Sequence, residues 1–237
     1  MTRLSAPFVF FALIAVAHLA ALAADWREAA SVTQIAAMPV LALALVPAAR
    51  QPGADSRLVR WTLLALGFSW LGDTVPRFLS GDAAFVAMVG GFLLAQLAYI
   101  AAFAPRWRTS MLAAHRVRLV PYAALFVALV VSCLPHAGAL APLVTGYGIT
   151  LVSMAILASG INRYAWIGGA LFFVSDGLIA LRTFAPSWPL AGTAESLTIM
   201  TTYFAAQALL VAGVLRAVRV SRAAGEPLPQ RRRESAN

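Results

Sequence analysis

The chain has 237 residues, of which 61% are hydrophobic and 11% charged, and its mean hydropathy is +0.81. Ordinary soluble domains are roughly 45–50% apolar, and a soluble core does not absorb repeated apolar runs of about 20 residues, so water is excluded as the main solvent. The net charge of +9 comes from 18 arginines and no lysine. These lie between apolar runs and in the tail, without interleaved aromatics or a recognisable binding fold, and this excludes nucleic acid as a partner. The single cysteine, Cys133, excludes an internal disulfide framework and a multi-cysteine metal site.

In chain order, apolar runs bounded by charge, proline or glycine predict transmembrane helices near 6–24, 31–49, 58–79, 83–104, 118–134, 139–159, 164–184 and 195–218. The expected fold is therefore all-α: a polytopic membrane bundle of about eight helices. Its transmembrane domain is expected over 1–222, with a polar, disordered, basic cytoplasmic tail over 223–237. Between the runs there is no room for an extramembrane domain. The longest connection is the stretch from Arg106 to Arg118.

Adjacent loops alternate across a membrane, and the arginine-rich side is cytoplasmic. The side that holds the amino terminus collects 15 of the 18 arginines; only Arg27, Arg77 and Arg182 fall on the other. A missed or invented helix would scramble that split, so both termini are expected inside. The expected location is the bacterial inner (plasma) membrane, crossed several times. Arg3, the apolar stretch from Phe8 and the small residues Ala20 to Ala24 also fit a cleavable signal peptide, whose loss leaves seven helices. A retained helix is expected instead, because the stretch is long enough to span.

An ionisable group in hydrocarbon costs roughly 2.5–3.5 kcal/mol on insertion scales, so each one inside a helix asks for a reason. Asp73 and Asp176 stand out, on the third and seventh helices. Counted from the cytoplasmic ends, their depths differ by only about 5 Å, in the outer half of the membrane, where they are able to face each other. Gly72 and Gly177 beside them allow close approach of another backbone or a ligand.

Gln96 and Tyr99 on the fourth helix, and Tyr203 and Gln207 on the eighth, are spaced to share a helix face. Glutamine and tyrosine bond a carboxyl group or a headgroup without adding charge. His18 reads as a satisfied packing residue, and His115 and His136 fall in loops on opposite sides. Glu195 reads as a solvated residue at a helix amino terminus. No His-x-x-x-His spacing is present, so no metal is expected. The arginines from Arg216 to Arg233 are expected to hold the last helix against anionic membrane lipids.

Four stretches carry a family resemblance: Leu71-Gly72-Asp73; the run from Phe92 through Gln96 and Tyr99 to Ile100; Gly169 through Phe173 to Ser175-Asp176; and Thr202-Tyr203 through Gln207. Together they resemble the motifs of the YhhN family of eight-helix membrane proteins, which includes lysoplasmalogenases. Gln96 stands where that family typically has histidine, and Met38-Pro39 where it typically has Lys-Pro.

The resemblance implies hydrolysis of the vinyl-ether bond of a lysoplasmalogen to a fatty aldehyde and a glycerophospho-ethanolamine or glycerophospho-choline. The substrate is then a lysophospholipid, and water is the nucleophile, so no cofactor is expected. Such cleavage needs a proton delivered to carbon and water added to the resulting oxocarbenium ion. Two carboxyl groups divide such duties in glycosidases. Asp73 and Asp176 are the expected catalytic pair, with Gln96, Tyr99, Ser175, Tyr203 and Gln207 expected to bind substrate and water. A non-catalytic lipid-binding or small transport protein, and a hydrolase of another lipid ether, ester or amide, are the alternative readings. The oligomeric state is not legible in the sequence.

Overall fold

In a computed structural model, which describes residues 6–50, 56–186 and 188–225, the apolar runs fold into eight long helices. They are α1 (Ala6–Ala23), α2 (Arg27–Leu43), α3 (Ser56–Thr74), α4 (Gly81–Phe103), α5 (Leu119–Cys133), α6 (Ala141–Ala158), α7 (Arg163–Phe184) and α8 (Gly192–Gly225). Seven of them, with their flanking turns, are long and apolar enough to cross a membrane. The remaining one, α3, carries Arg57, Arg60 and Asp73 within its 19 residues. The chain is a polytopic helical membrane protein.

Packing neighbours run α1–α2–α3–α4–α6–α7–α8 and back to α1, so seven helices close a ring. Helix α5 leans on α6 and α7 from outside. Close approach within the ring depends on missing side chains. A Cβ on Gly91 of α4 would lie 2.6 Å from the Gly72 backbone of α3, and one on Gly213 of α8 would lie 2.7 Å from the Ala165 nitrogen of α7. At the first crossing Asp73 comes in beside α4.

Pro39 has no N–H to give the Ile35 carbonyl one helical turn earlier. Trp70 of α3 supplies the donor instead, its indole Nε1 reaching Ile35 O at 3.0 Å. That bond clamps α2 to α3 one residue from Gln34. Asn162 caps α7 by accepting from the nitrogens of Tyr164 and Ala165, and its side-chain amide donates to Gly213 O at 2.8 Å, tying the cap to α8.

Several expected boundaries move. The α-helical part of α3 stops at Thr74, and the expected run to 79 is continued by a 3-10 turn over Val75–Phe78, where Pro76 at its start lacks the N–H that an α-helix would use. Asp73 is thus the penultimate residue of its helix. Helix α2 begins at Arg27, and the expected single run to 49 breaks after Leu43 into a short helix, Val46–Ala49. Helix α8 continues to Gly225, three residues past the expected domain boundary at 222. Arg3 and the rest of the expected tail, including Arg231 to Arg233, lie outside the described residues.

Candidate active site

Asp73 and Asp176 are 6% and 5% exposed, and both line one polar cavity of about 340 Å³ inside the ring. The two aspartates expected at matched depth therefore line the same cavity.

Each carboxyl group accepts one amide N–H and one phenol O–H. Asp73 takes the Gln34 amide of α2 and the Tyr203 hydroxyl of α8, both at 2.7 Å. Asp176 takes the Gln96 amide of α4 at 3.2 Å and the Tyr147 hydroxyl of α6 at 2.5 Å. A second donor on each amide oxygen fixes which way the glutamine points. Arg77 donates to the Gln34 oxygen and to Ser31, and Thr150 donates to the Gln96 oxygen at 2.6 Å. Arg77 also reaches back through Nε to the Asp73 carbonyl at 3.1 Å, placing a cation on the carboxyl end of α3, where the helix dipole favours one.

Behind Asp73 the donors continue inward. Tyr99 donates to the Gln207 oxygen at 2.6 Å, and the Gln207 amide donates to Ser69 at 3.0 Å and more weakly toward the Tyr203 oxygen at 3.5 Å. A satisfied buried network of this kind rigidifies the groups it holds. Tyr203 and Ser175 line the cavity, and Ser175 bonds the Ile199 carbonyl at 3.1 Å. Gln96, Tyr99 and Gln207 do not line it; they stand one layer behind and hold the groups that do.

A second compartment of about 80 Å³ adjoins the first, between α4, α5, α6 and α7. Its walls are almost wholly apolar, including Phe126, Leu129, Leu151 and Phe173. Met88, Phe92, Asp176 and Ile179 border both spaces. Asp176 therefore stands where a polar cavity meets an apolar groove.

Reading the sequence by charge alone passes over Gln34, Tyr147 and Thr150. Tyr147 and Thr150 are three residues apart, the same spacing that singles out Gln96 with Tyr99. Two further readings change. Glu195 is 2% exposed and accepts from the Trp188 indole at 2.9 Å, so a buried bond, not solvation, satisfies it. His18 is 1% exposed, and its Nδ1 bonds the Ala30 carbonyl at 3.0 Å. Its Nε2 has no partner among the described residues, although the residue lines the polar cavity. Met38, where the resemblance leads one to expect lysine, is fully buried in the core.

Relatives of known name share this chain's sequence. It is 34% identical over 162 residues to the lysoplasmalogenase of Mycobacterium bovis, covering 65% of this chain and 60% of that protein. It is 34% identical over 185 residues to lysoplasmalogenase TMEM86B of Mus musculus, covering 77% and 74%. The human TMEM86B is 41% identical over 73 residues, which are 31% of this chain and 30% of that one. The chain thus spans 60% of the length of the mycobacterial relative. No solved structure matches it. The profile of the YhhN family covers residues 29–214, a span that includes the two aspartates and their hydrogen-bond partners, and the chain belongs to that family.

Proposed function

We propose that the protein hydrolyses the vinyl-ether bond of a lysoplasmalogen, releasing a fatty aldehyde and a glycerophospho-ethanolamine or glycerophospho-choline. The observation that carries this reading is the position of Asp176 on the border between the polar cavity and the apolar groove. A lysolipid has the same two parts. Its chain suits the groove, its headgroup suits the cavity, and the scissile bond then lies beside Asp176. The names of the relatives support the reaction class.

The chemistry divides the two carboxyl groups. Protonation of a vinyl ether occurs at the carbon on the chain side, and water adds to the carbon that bears oxygen. Asp176 borders the chain's compartment, so it gives its proton to the chain-side carbon as the π electrons form the new C–H bond. Asp73 lies on the headgroup side, where it steadies the oxocarbenium ion and takes a proton from the incoming water. In the resulting hemiacetal, protonated Asp73 returns its proton to the glycerol oxygen as the C–O bond breaks. Asp176 takes the proton of the hemiacetal hydroxyl, leaving the aldehyde and resetting both groups. Water is consumed and nothing is oxidised or reduced.

Gln96 and Tyr147 hold Asp176 for this task, and Gln34 and Tyr203 hold Asp73. The arginine distribution supports both termini in the cytoplasm and a bacterial inner-membrane location. The polar cavity, with Arg77 and Arg182, then faces the opposite side.

The test is aldehyde release from purified protein in neutral detergent. The unsubstituted protein is expected to release aldehyde from a lysoplasmalogen, and Asp176→Asn and Asp73→Asn to lose that activity. Full activity in both variants would overturn the assignment. Binding of the lipid without any aldehyde release by the unsubstituted protein would instead favour a lipid-binding or transport role.

A further inference from the structure

The two aspartates receive the same kinds of donor on different atoms, and the difference decides where a proton sits. Asp73 has one donor on each oxygen, Gln34 at Oδ1 and Tyr203 at Oδ2. Asp176 has both on Oδ2, from Gln96 and Tyr147. Its Oδ1 has no partner among the described residues, and it is not one of the side-chain atoms closed off without a partner, His18 Nε2 and Thr74 Oγ1. That oxygen is therefore open to the space that Asp176 lines.

The donor directions at Asp73 are forced from behind. A guanidinium only donates, so Arg77 holds the Gln34 oxygen toward itself and turns the Gln34 nitrogen to Asp73. On the other side, the hydrogen of Tyr99 has one acceptor among the described residues, the Gln207 oxygen, which turns the Gln207 nitrogen to Ser69 and Tyr203. Tyr203 keeps its own hydrogen for Asp73. Both oxygens of Asp73 thus face hydrogens that cannot turn away without stranding a buried group, and Arg77 is always charged. Donors to the charged form and a nearby cation both favour the carboxylate.

At Asp176 every hydrogen-bonding partner is neutral. A carbonyl oxygen has two lone pairs, so Oδ2 of an uncharged carboxyl group satisfies Gln96 and Tyr147 together. The hydroxyl, Oδ1–H, is then left for the cavity. An ionised Asp73 on the same cavity disfavours a second negative charge.

We infer that the resting site holds one proton between the two aspartates, carried on Oδ1 of Asp176, while Arg77, acting through Gln34, keeps Asp73 ionised. Arg77 is thus a positioning residue. The use of the proton rests on the hydrolase reading; its place does not. Within that reading, Oδ1 delivers the proton to carbon, and Gln96 and Tyr147 hold the oxygen that stays behind.

The test is infrared spectroscopy of the purified protein without substrate, in an ester-free neutral detergent, where the carbonyl stretch of a protonated carboxyl group stands apart from that of carboxylates. One such band is expected from the site, lost in Asp176→Asn and kept in Asp73→Asn. Glu195→Gln removes the other buried carboxyl group among the described residues and serves as the control. The band is expected to move to lower frequency in deuterated water. In Tyr147→Phe it is expected to move to higher frequency, because the carbonyl oxygen loses a donor; this assigns the band independently should Asp176→Asn fail to fold. Arg77→Gln is expected to add a second band, which Asp73→Asn then removes, and Arg77→Lys, which keeps the charge, to add none.

No protonated band from the site, a band from each aspartate, or a band lost in Asp73→Asn and kept in Asp176→Asn would overturn the charge assignment. An unmoved band in Tyr147→Phe would overturn the placement on Oδ1, and the lack of a second band in Arg77→Gln would overturn the role of Arg77. If the proton lies on Asp176 and no aldehyde is released from a lysoplasmalogen, the hydrolase reading fails and the assignment stands. If aldehyde is released while the proton lies on Asp73, the reverse holds.

Discussion

The surroundings of Asp73 and Asp176 are built to one plan and finished differently. Each carboxyl group is gripped by one glutamine amide and one tyrosine hydroxyl, and each glutamine is oriented by a further donor. At Asp73 that further donor is the guanidinium of Arg77; at Asp176 it is the hydroxyl of Thr150. Asp73 faces only the polar cavity, whereas Asp176 also borders the apolar groove. The donors are of the same kinds but fall differently, one on each oxygen of Asp73 and both on Oδ2 of Asp176, and the compartments the two groups face set them to different work.

Removing either carboxyl group has the largest expected effects. Asp176→Asn should lower aldehyde release by about 10²–10⁴-fold, the usual worth of a positioned general acid, and binding of a saturated ether lipid should persist. Asp73→Asn should fall in the same range. The phenols come next. Tyr147→Phe and Tyr203→Phe each remove a donor from a buried carboxyl group, which costs about 1.5–3 kcal/mol, so roughly 10- to 100-fold in activity or a matching loss of thermal stability is expected. Activity and melting temperature measured together separate the two.

The finishing donors distinguish the sites more finely. Thr150→Val frees the Gln96 amide to turn, and a loss of about tenfold is expected, confined to kcat if Gln96 acts only through Asp176. Ala180 of α7 also lines the groove, and filling it with Ala180→Trp should lower activity on long chains about tenfold relative to short ones and leave the headgroup preference unchanged. Steady-state kinetics across a chain-length series checks this. The smallest expected effect lies away from both sites. Trp70→Phe strands the Ile35 carbonyl and should cost about 1–3 kcal/mol of stability, read as a lower melting temperature, with less effect on the chemistry.

How much of this was legible in the sequence depends on how loudly a residue departs from its surroundings. Charges inside apolar runs are costly enough to stand out, so Asp73 and Asp176 are visible in the sequence, as is their matched depth, whereas the cavity they share is not. Eight apolar runs were visible for the same reason. Gln34, Tyr147 and Thr150 were not, because a neutral polar side chain is cheap in a bundle and acquires meaning only from the partner that another helix brings to it.

Spacing gave a partial truth at Gln96 and Tyr99. They share a helix face, yet Gln96 serves Asp176 and Tyr99 joins the Gln207 chain behind Asp73. Arg77 and Arg182 entered the sequence reading only as a charge count for orientation. The place of Arg77 on the cavity depends on the switch from α-helix to a 3-10 turn after Thr74, and that of Arg182 on the packing of α7.

The most direct measurement of the central claim follows the proton to carbon. Reaction in deuterated water is expected to give aldehyde with one deuterium on the carbon next to the carbonyl, delivered to a single face, as a fixed Asp176 requires. Asp176→Asn is expected to bind the saturated ether lipid and release no labelled aldehyde. Undiminished release by that variant, or deuterium spread equally over both faces, would contradict the account.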